Sequence, residues 1–165
     1  MVRLAVFEDL PRIAEMQVFG WRNAYRGIVS DNFLFKELSV SKRVAKYERE
    51  WGTVEAKFYV NDDNGIVNGF MNIGKCRDSD KIESFELCAI YVEPLMMNQG
   101  IGKQLIEKCE SIAIESGYSE NVLWVFKENT KSRGFYERMG YRVEGKEQVL
   151  DKFNAIEIRY HKVIR

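Results

Sequence analysis

The sequence predicts a domain of mixed α+β layers, in which helices pack on a sheet. Three patterns predict this class. An apolar strand at Phe85–Val92 leads through a short loop into an amphipathic helix. The stretch Asp62-Asp63-Asn64-Gly65 is a typical hairpin turn between two strands. Near the C-terminus, Ile156, Ile158 and Tyr160 alternate with charged or polar residues, which indicates a strand with one solvated face.

The elements of the N-terminal half follow from local start and stop signals. Asp9 can cap a helix that opens at Leu10-Pro11, because proline is tolerated in the first helical turn. Ser41 is a plausible cap for a second helix, since apolar residues after it repeat at helical spacing. We also expect strands at Val2–Ala5, Ala56–Asn61 and Ile66–Ile73, and a solvated loop at 74–82.

The C-terminal half is organised by the helix that follows Phe85–Val92. Leu105, Ile106, Cys109, Ile112 and Ala113 recur on one face of that helix, and Gly117 provides its stop. Further expected elements are a strand at Asn121–Phe126, a helix at Thr130–Met139 closed by Gly140, and strands at Tyr141–Leu150 and Ala155–Ile164. The order β-α-α-β-β-β-α-β-α-β-β runs over residues 1–165 without a linker or repeat, which predicts a single domain.

Composition argues against several classes of protein. The 165 residues hold 25 Lys plus Arg and 25 Asp plus Glu, so no global field attracts nucleic acid or an anionic membrane. The N-terminus lacks a secretory signal pattern and no apolar run could span a bilayer, so we expect a cytoplasmic protein. The cysteines Cys76, Cys88 and Cys109 form no CxxC pair, and the single histidine, His161, cannot complete a zinc site with them. No metal is expected.

The segment Gln99–Lys103 predicts an anion site. Where a strand passes through a glycine-containing loop into a helix, unpaired N–H groups and the positive end of the helix dipole point at one spot, which suits a phosphate. A Walker A loop is excluded because Met97 and Gln104 stand where Gly and Ser or Thr are needed. A dinucleotide fingerprint is excluded because Leu105 replaces its third glycine.

The stretch from Met97 to Gly102 resembles the pyrophosphate loop of the GCN5-related N-acetyltransferases, Gln/Arg-x-x-Gly-x-Gly/Ala, with Met97 as a departure at the first position. The stretch from Val122 to Tyr141, an apolar strand that ends near Asn129 and a short helix carrying Phe135-Tyr136, is also similar to the family. The resemblance extends over the whole chain. It implies the family fold, a mixed and mostly antiparallel sheet flanked by helices, with acetyl-CoA as the acetyl donor.

The resemblance also implies a set of cofactor-binding residues. The strand edge would pair with the amide-bearing pantetheine arm, the loop would hold the pyrophosphate through main-chain N–H groups, and Asn129 would bond the same arm, unless it simply caps the helix. These cofactor-binding residues are Ile90, Tyr91, Val92, Met97, Asn98, Gln99, Gly100, Ile101, Gly102, Lys103, Asn129, Ser132, Phe135 and Tyr136. Lys127, Lys131, Arg133 and Arg138 are candidates for flanking the 3′-phosphate.

Candidate catalytic residues come from the same elements. Tyr136 is expected to be the general acid for the departing thiolate, although it could be only a buried aromatic residue. Glu86 is the candidate general base, acting directly or through water, because it lies four residues before Ile90 and so on the same strand face; Glu83 is a poorer candidate. Trp21, Tyr25 and Arg26 are expected either to form a wall of the acceptor pocket or to be a packed corner.

These residues predict an acetyl-CoA-dependent N-acetyltransferase in which a primary amine attacks the thioester directly. The acceptor partner would be a small-molecule amine or a peptide or protein amine. The alternative is a non-catalytic acyl-CoA-binding sensor module, which would need Gly100 and Gly102 but not Tyr136 or Glu86. The last pair of strands offers an edge for a possible homodimer.

Overall fold

The computed structural model describes residues 1–52 and 57–165. Each α-helix and strand in this part of the chain falls at or near a predicted element. The strands are β1 Val2–Leu4, β2 Lys57–Asp63, β3 Ile66–Lys75, β4 Phe85–Val92, β5 Glu120–Phe126, β6 Arg142–Leu150 and β7 Ala155–Val163, and the α-helices are α1 Leu10–Ala24, α2 Val40–Glu50, α3 Ile101–Glu115 and α4 Thr130–Arg138. A π-helical turn spans Phe33–Glu37. The predicted strand at Ala56–Asn61 is described from Lys57 onward, and its first residue lies outside the described residues.

The strands form one sheet in the order β1-β2-β3-β4-β5-β7-β6. All neighbouring pairs are antiparallel except β4 and β5, which are parallel. The predicted class, α+β with a mixed and mostly antiparallel sheet, is therefore confirmed. The hairpin between β2 and β3 turns through Asn64 and Gly65, with φ angles of 53° and 87° that suit a tight turn.

The two predicted helix caps have different outcomes. Ser39, not Ser41, caps α2, because its side-chain oxygen accepts the Lys42 N–H, so the prediction for Ser41 is wrong. Asp9 stands at the predicted N-cap position of α1, but it makes no side-chain capping bond. Its carboxylate instead accepts the Val6 N–H and pairs with Arg3.

Helices cover both faces of the sheet. On one face, α3 buries Leu105, Ile106 and Cys109 against a core that contains Met71 and Leu87. On the other face, α1 and α2 pack on a second core formed by residues such as Leu10, Ile13, Tyr47, Val60 and Phe70. The two faces of β4 therefore meet different helices.

Strands β4 and β5 separate soon after they meet. Their ladder comprises only Phe85 with Asn121 and Glu86 with Val122. Within the described chain, the rest of the β4 edge, from Leu87 to Val92, pairs with no other strand on that side. The sheet therefore opens into a wedge whose one wall is an unpaired strand edge. The sequence interpretation required this separation, and the pairing shows it.

Strand β4 also carries a β-bulge. Asn72 pairs with Ala89 and Ile73 pairs with Leu87, so Cys88 is an extra residue that shifts the alternation of side chains. As a result, Ile90 and Leu87 contact the same core, on the face opposite to Glu86. The prediction that Glu86 and Ile90 share a face is wrong, because spacing alone does not reveal the bulge.

Candidate active site

The loop before α3 holds its main-chain N–H groups ahead of the helix. Asn98 and Gly100 adopt left-handed conformations, with φ angles of 63° and 83°. The first helical bond is donated by the Gln104 N–H to the Gly100 carbonyl oxygen, so the N–H groups of residues 101–103 precede the helical ladder. A side chain at Gly100 would have no atom within 4 Å. This arrangement fits a diphosphate group at the positive end of α3.

Gly102 has a different role from Gly100. A Cβ atom at Gly102 would lie 3.1 Å from Cζ of Phe135, so the absence of a side chain lets the Phe135 ring of α4 pack closely on the first turn of α3. Phe135 in turn packs against the core beneath α3. The glycine therefore brings α4 and α3 together beside the loop.

Tyr136 lies beside Phe135 and is buried, with ring centroids 5.5 Å apart. Its ring also approaches Tyr141 and Tyr160 on their edges or at a tilt. Burial raises the pKa of the Tyr136 phenol well above its usual value. Among the described residues no group hydrogen-bonds its hydroxyl. The phenol is therefore neutral, and its hydroxyl, which has no partner in the described part of the chain, can hydrogen-bond a bound group.

Asn129 and Ser132 form the start of α4. The Asn129 side-chain oxygen accepts the Ser132 N–H at 3.2 Å, so Asn129 caps the helix as the alternative interpretation expected. Its amide NH₂ has no acceptor among the described residues and remains available to a ligand carbonyl. Lys131 reaches back to the loop, with Nζ 3.7 Å from Sδ of Met97. Two other basic candidates are engaged elsewhere: Lys127 pairs with Glu147, and Arg133 donates to the Tyr160 hydroxyl and to the Lys127 carbonyl oxygen.

Tyr91 turns its side chain away from α3. Its ring stacks on Phe70 with centroids 5.3 Å apart and contacts α1 at Gly20, where a Cβ atom would lie 2.4 Å from Cδ1 of the ring. Its hydroxyl lies 3.4 Å from that of Tyr25. Of the three strand residues predicted to bind the cofactor, Tyr91 therefore presents only its main chain to the wedge, whereas Ile90 and Val92 pack toward the α3 core.

Glu86 is buried at the start of β4, with its side chain 3% exposed. Its carboxylate accepts three hydrogen bonds from Arg77, one from the main-chain N–H at 3.1 Å and two from the guanidinium. A carboxylate has about four acceptor positions, so one remains. The sequence reasoning did not find Arg77, because that residue lies in the predicted loop at 74–82.

The three predicted acceptor residues lie at the end of α1. Trp21 and Tyr25 belong to an aromatic cluster with Phe33, Phe126 and Phe153, in which Tyr25 and Phe126 have centroids 4.9 Å apart. The indole N–H of Trp21 is buried and has no hydrogen-bond partner among the described residues. Arg26 is largely exposed and pairs with Asp31. The packed corner expected as one alternative is present, and it stands at the end of β5 where the wedge opens.

A cavity of about 680 Å³ lies on the α2 side of the sheet and reaches the bulge of β4 at Cys88 and Ala89. None of Trp21, Tyr25 and Arg26 lines it. Its other lining residues are Leu4, Ala5, Gln17, Arg43, Lys46, Tyr47, Glu50, Trp51, Gly52, Lys57, Phe58, Asn72, Lys75 and Arg77. The sequence reasoning missed this cavity, and the only local signal was the helical spacing of Arg43, Lys46, Tyr47 and Glu50.

In the described part of the chain, no three His, Cys, Asp or Glu side chains cluster as a metal site would require. Nor is any helix there apolar and long enough to cross a bilayer. Around the wedge stand the main-chain amides ahead of α3, the Tyr136 hydroxyl and the Glu86 carboxylate. These are groups that can hold an anion, donate a proton and accept one.

Comparisons with known proteins show which family the chain resembles. A model of the acetyltransferase (GNAT) family matches residues 20–141, most of the chain. An uncharacterized N-acetyltransferase of Bacillus subtilis, YuaI, is 31% identical over 130 residues, which cover 78% of this chain and 72% of that protein. A spermidine N(1)-acetyltransferase of Thermoplasma acidophilum is 24% identical over 158 residues, which cover 92% of this chain and 95% of that protein.

Solved structures share the fold. The PaiA N-acetyltransferase of Thermoplasma acidophilum, crystallised in complex with coenzyme A, superposes with a TM-score of 0.74 at 22% identity and 96% coverage of both chains. A ribosomal-protein-alanine N-acetyltransferase of Brucella melitensis superposes with a TM-score of 0.76 at 20% identity and 99% coverage of both chains. At these identities the likeness establishes the architecture alone.

Proposed function

Because the chain belongs to the acetyltransferase (GNAT) family and is therefore an acetyl-CoA-dependent N-acetyltransferase, we propose that it acetylates a primary amine by direct attack within a ternary complex. One observation carries this proposal: the unpaired edge of β4 leads directly into the main-chain N–H groups ahead of α3. An amide-bearing thioester needs both features, an edge to pair with and a cradle for its diphosphate.

Acetyl-CoA supplies an acetyl group activated as a thioester, and this chain's residues would hold it in three places. The N–H groups of residues 99–103 bind the pyrophosphate. The edge of β4 from Ile90 to Val92 pairs with the pantetheine arm, and the Asn129 amide donates to it. Lys131 flanks the phosphates, because it is the basic candidate whose side chain reaches the loop. Ser132 and Phe135 form the adjoining surface of α4.

Tyr136 is the proposed general acid. The hydroxyl shares or gives its proton to the departing thiolate, a group whose pKa is near 8.5 for an ordinary thiol. Burial raises the pKa of this phenol above its usual value, which keeps it protonated but makes complete transfer less favourable, so the hydroxyl acts mainly by sharing its proton in a hydrogen bond with the developing thiolate. Packing against Phe135, Tyr141 and Tyr160 holds the ring in place. The phenol is thus protonated, and its ring is held in a fixed orientation.

Glu86 is the proposed general base, and it acts through water. Three Arg77 donors occupy most of its acceptor capacity and the side chain is nearly buried, so an amine has no direct path to the carboxylate. A water molecule at the remaining acceptor position can pass the amine proton on. Arg77 orients the carboxylate and is a positioning residue.

The acceptor is proposed to be a small-molecule amine or a peptide amine that enters from the α1 and α2 side. Two sets of residues could line its path. Trp21, Tyr25 and Arg26 stand near the opening of the wedge, and the cavity beside α2 ends at the β4 bulge. We further propose a cytoplasmic location, and a homodimer that would form through the edge strand β6.

A thiol-release assay with acetyl-CoA and a panel of amines tests the proposed function. We expect thiol release that depends on the amine, and a calorimetric titration that shows coenzyme A binding. Binding without thiol release for any amine would instead support the sensor module. The variant Tyr136→Phe distinguishes the enzyme from the sensor module, since only the enzyme needs the hydroxyl for turnover.

A further inference from the structure

The cavity beside α2 has an unusual charge balance. The described residues of its lining include five cationic side chains, Arg43, Lys46, Lys57, Lys75 and Arg77, and one acidic side chain, Glu50. The chain as a whole is balanced, with 25 basic and 25 acidic residues. A fivefold excess of cations is therefore local to this cavity and is not a property of the surface in general.

Most of these cations form no ion pair with a carboxylate that the structure describes. Among the described residues, no Asp or Glu pairs with Arg43, Lys46, Lys57 or Lys75, whereas ten other Lys or Arg side chains do form ion pairs. Arg77 is engaged by Glu86, and Arg43 lies 6.0 Å from the centroid of the Tyr47 ring. Like charges gathered in one concave site repel each other and attract an anion, which lowers that repulsion.

The floor of the cavity is apolar, and the cavity reaches the strand that is proposed to carry the thioester. Ala5 and Tyr47 are buried and Phe58, Cys88 and Ala89 are half-buried, whereas the lysines of the lining are exposed, so a ligand would meet apolar groups below and cations at the rim. Cys88 is the bulged residue of β4, the strand whose free edge is proposed to carry the thioester. The cavity lies on the face opposite to α3, so its cations are separated from the pyrophosphate loop by the sheet.

We infer that the acceptor is a small primary amine that also carries a carboxylate or a phosphate, with its anionic group bound by the rim cations and its amine directed to the β4 bulge. This inference rests on the proposed function. A volume of about 680 Å³ suits a small molecule better than a folded chain. Polyamines, which are cationic along their whole length, would be repelled by the same rim.

Two matched sets of amines test the charge preference. The first is 4-aminobutyrate, 4-aminobutanamide and 1,4-diaminobutane, which share a four-carbon chain and end in a negative, neutral or positive group. The second is 2-aminoethyl phosphate against ethanolamine, which separates phosphate from carboxylate recognition. We expect kcat/KM to be at least about tenfold higher for the anionic member of one set, the size of one charge-assisted contact. An equal or better kcat/KM for 1,4-diaminobutane would overturn the inference.

A pair of double variants assigns the effect to the cavity. Arg43→Gln with Lys46→Gln removes two rim cations, and Arg49→Gln with Lys36→Gln removes two exposed cations that do not line the cavity. We expect the first to raise KM for the anionic amine about tenfold or more and to leave the neutral amine within about twofold. The second should change neither. Equal effects of the two double variants would contradict the inference.

A binding measurement decides the point even where no amine of the panel is acetylated. With coenzyme A present in excess to fill the loop, citrate serves as an anionic probe of the cavity, and its effect on the melting temperature is recorded. We expect citrate to raise Tm in the wild type and in the Arg49→Gln/Lys36→Gln variant but not in the Arg43→Gln/Lys46→Gln variant. Equal stabilisation of all three proteins would overturn the inference. A failure of coenzyme A itself to bind would instead refute the proposed function.

Discussion

The contact between α1 and β4 at Gly20 makes a quantitative prediction possible. A Cβ atom there would lie 2.4 Å from Cδ1 of Tyr91, whereas carbon atoms in contact sit about 3.5–4.0 Å apart. In Gly20→Ala the helix and the strand must therefore separate by about 1 Å. The ring cannot easily yield, because it is stacked on Phe70 and buried beneath α1.

Two opposing terms set the magnitude of Gly20→Ala. Alanine in a helix interior gains about 0.5–1 kcal/mol over glycine, whereas overpacking a close contact costs about 1–3 kcal/mol. We expect a net loss of about 1–2 kcal/mol in the free energy of unfolding, which lowers Tm by roughly 3–6 °C in a chain of this length. Because Tyr91 lies between Ile90 and Val92 on the proposed cofactor strand, KM for acetyl-CoA should also rise.

The matched control is Gly134→Ala in α4. There the nearest atom to a new Cβ is Nη1 of Arg138 at 3.5 Å, an ordinary contact, so only the helix-propensity gain remains. We expect Gly134→Ala to raise the free energy of unfolding by about 0.5–1 kcal/mol. Urea unfolding of both variants checks the pair. A Gly20→Ala protein as stable as the wild type would refute the reasoning about this contact.

Three further predictions follow from the site and from the ion pairs. Tyr136→Phe should lower kcat about 100-fold and leave the Kd of coenzyme A from calorimetry within about twofold, whereas unchanged turnover would remove the residue from the mechanism. Burial opposes the shift, but donors led by Lys81 lower the pKa of Glu120 from 4.5 to about 2. Since this folded-state pKa is depressed, the stabilisation by Glu120 is present above about pH 4.5 and is lost as the pH falls through about 2. The free energy of unfolding of the wild type should therefore exceed that of Glu120→Gln by about 1–2 kcal/mol above pH 4.5, and urea titrations should show this difference vanish as the pH falls to about 2. Arg159→Met should lower the free energy of unfolding by about 3 kcal/mol, because the Arg159 side chain is 3% exposed and pairs with three carboxylates. An equal loss for Arg142→Met, at an exposed arginine, would contradict that cause.

Much of the fold was predictable because its signals are local. The bounds of β4 agree with the predicted Phe85–Val92, since an apolar run there meets Pro94. Gly117 and Gly140 follow their helices with φ angles of 87° and 88°, conformations that favour glycine. The loop residues Asn98 and Gly100 also adopt left-handed conformations, consistent with the short glycine-containing loop that the sequence predicted before α3.

The features that were not predicted depend on contacts between distant parts of the chain. The bulge at Cys88 arises from the register of β3 against β4, and the sequence of β4 alone contains no signal that predicts it. Arg77 meets Glu86 only because a loop folds back on the strand. The cationic cavity likewise collects its charged residues from α2, β2, β3 and the loop after β3, and those cations are up to 34 positions apart, from Arg43 to Arg77. Periodicity describes one element at a time and cannot place such groups together.

The central claim is that the main-chain N–H groups ahead of α3 hold a diphosphate while a thioester arm lies on the free edge of β4. A crystal structure with bound coenzyme A tests it most directly. The account predicts diphosphate oxygens within hydrogen-bond distance of the N–H groups of residues 99–103, and pantetheine amides paired with the main chain between Leu87 and Val92. A nucleotide bound elsewhere, or a β4 edge closed by β5 in the complex, would contradict it.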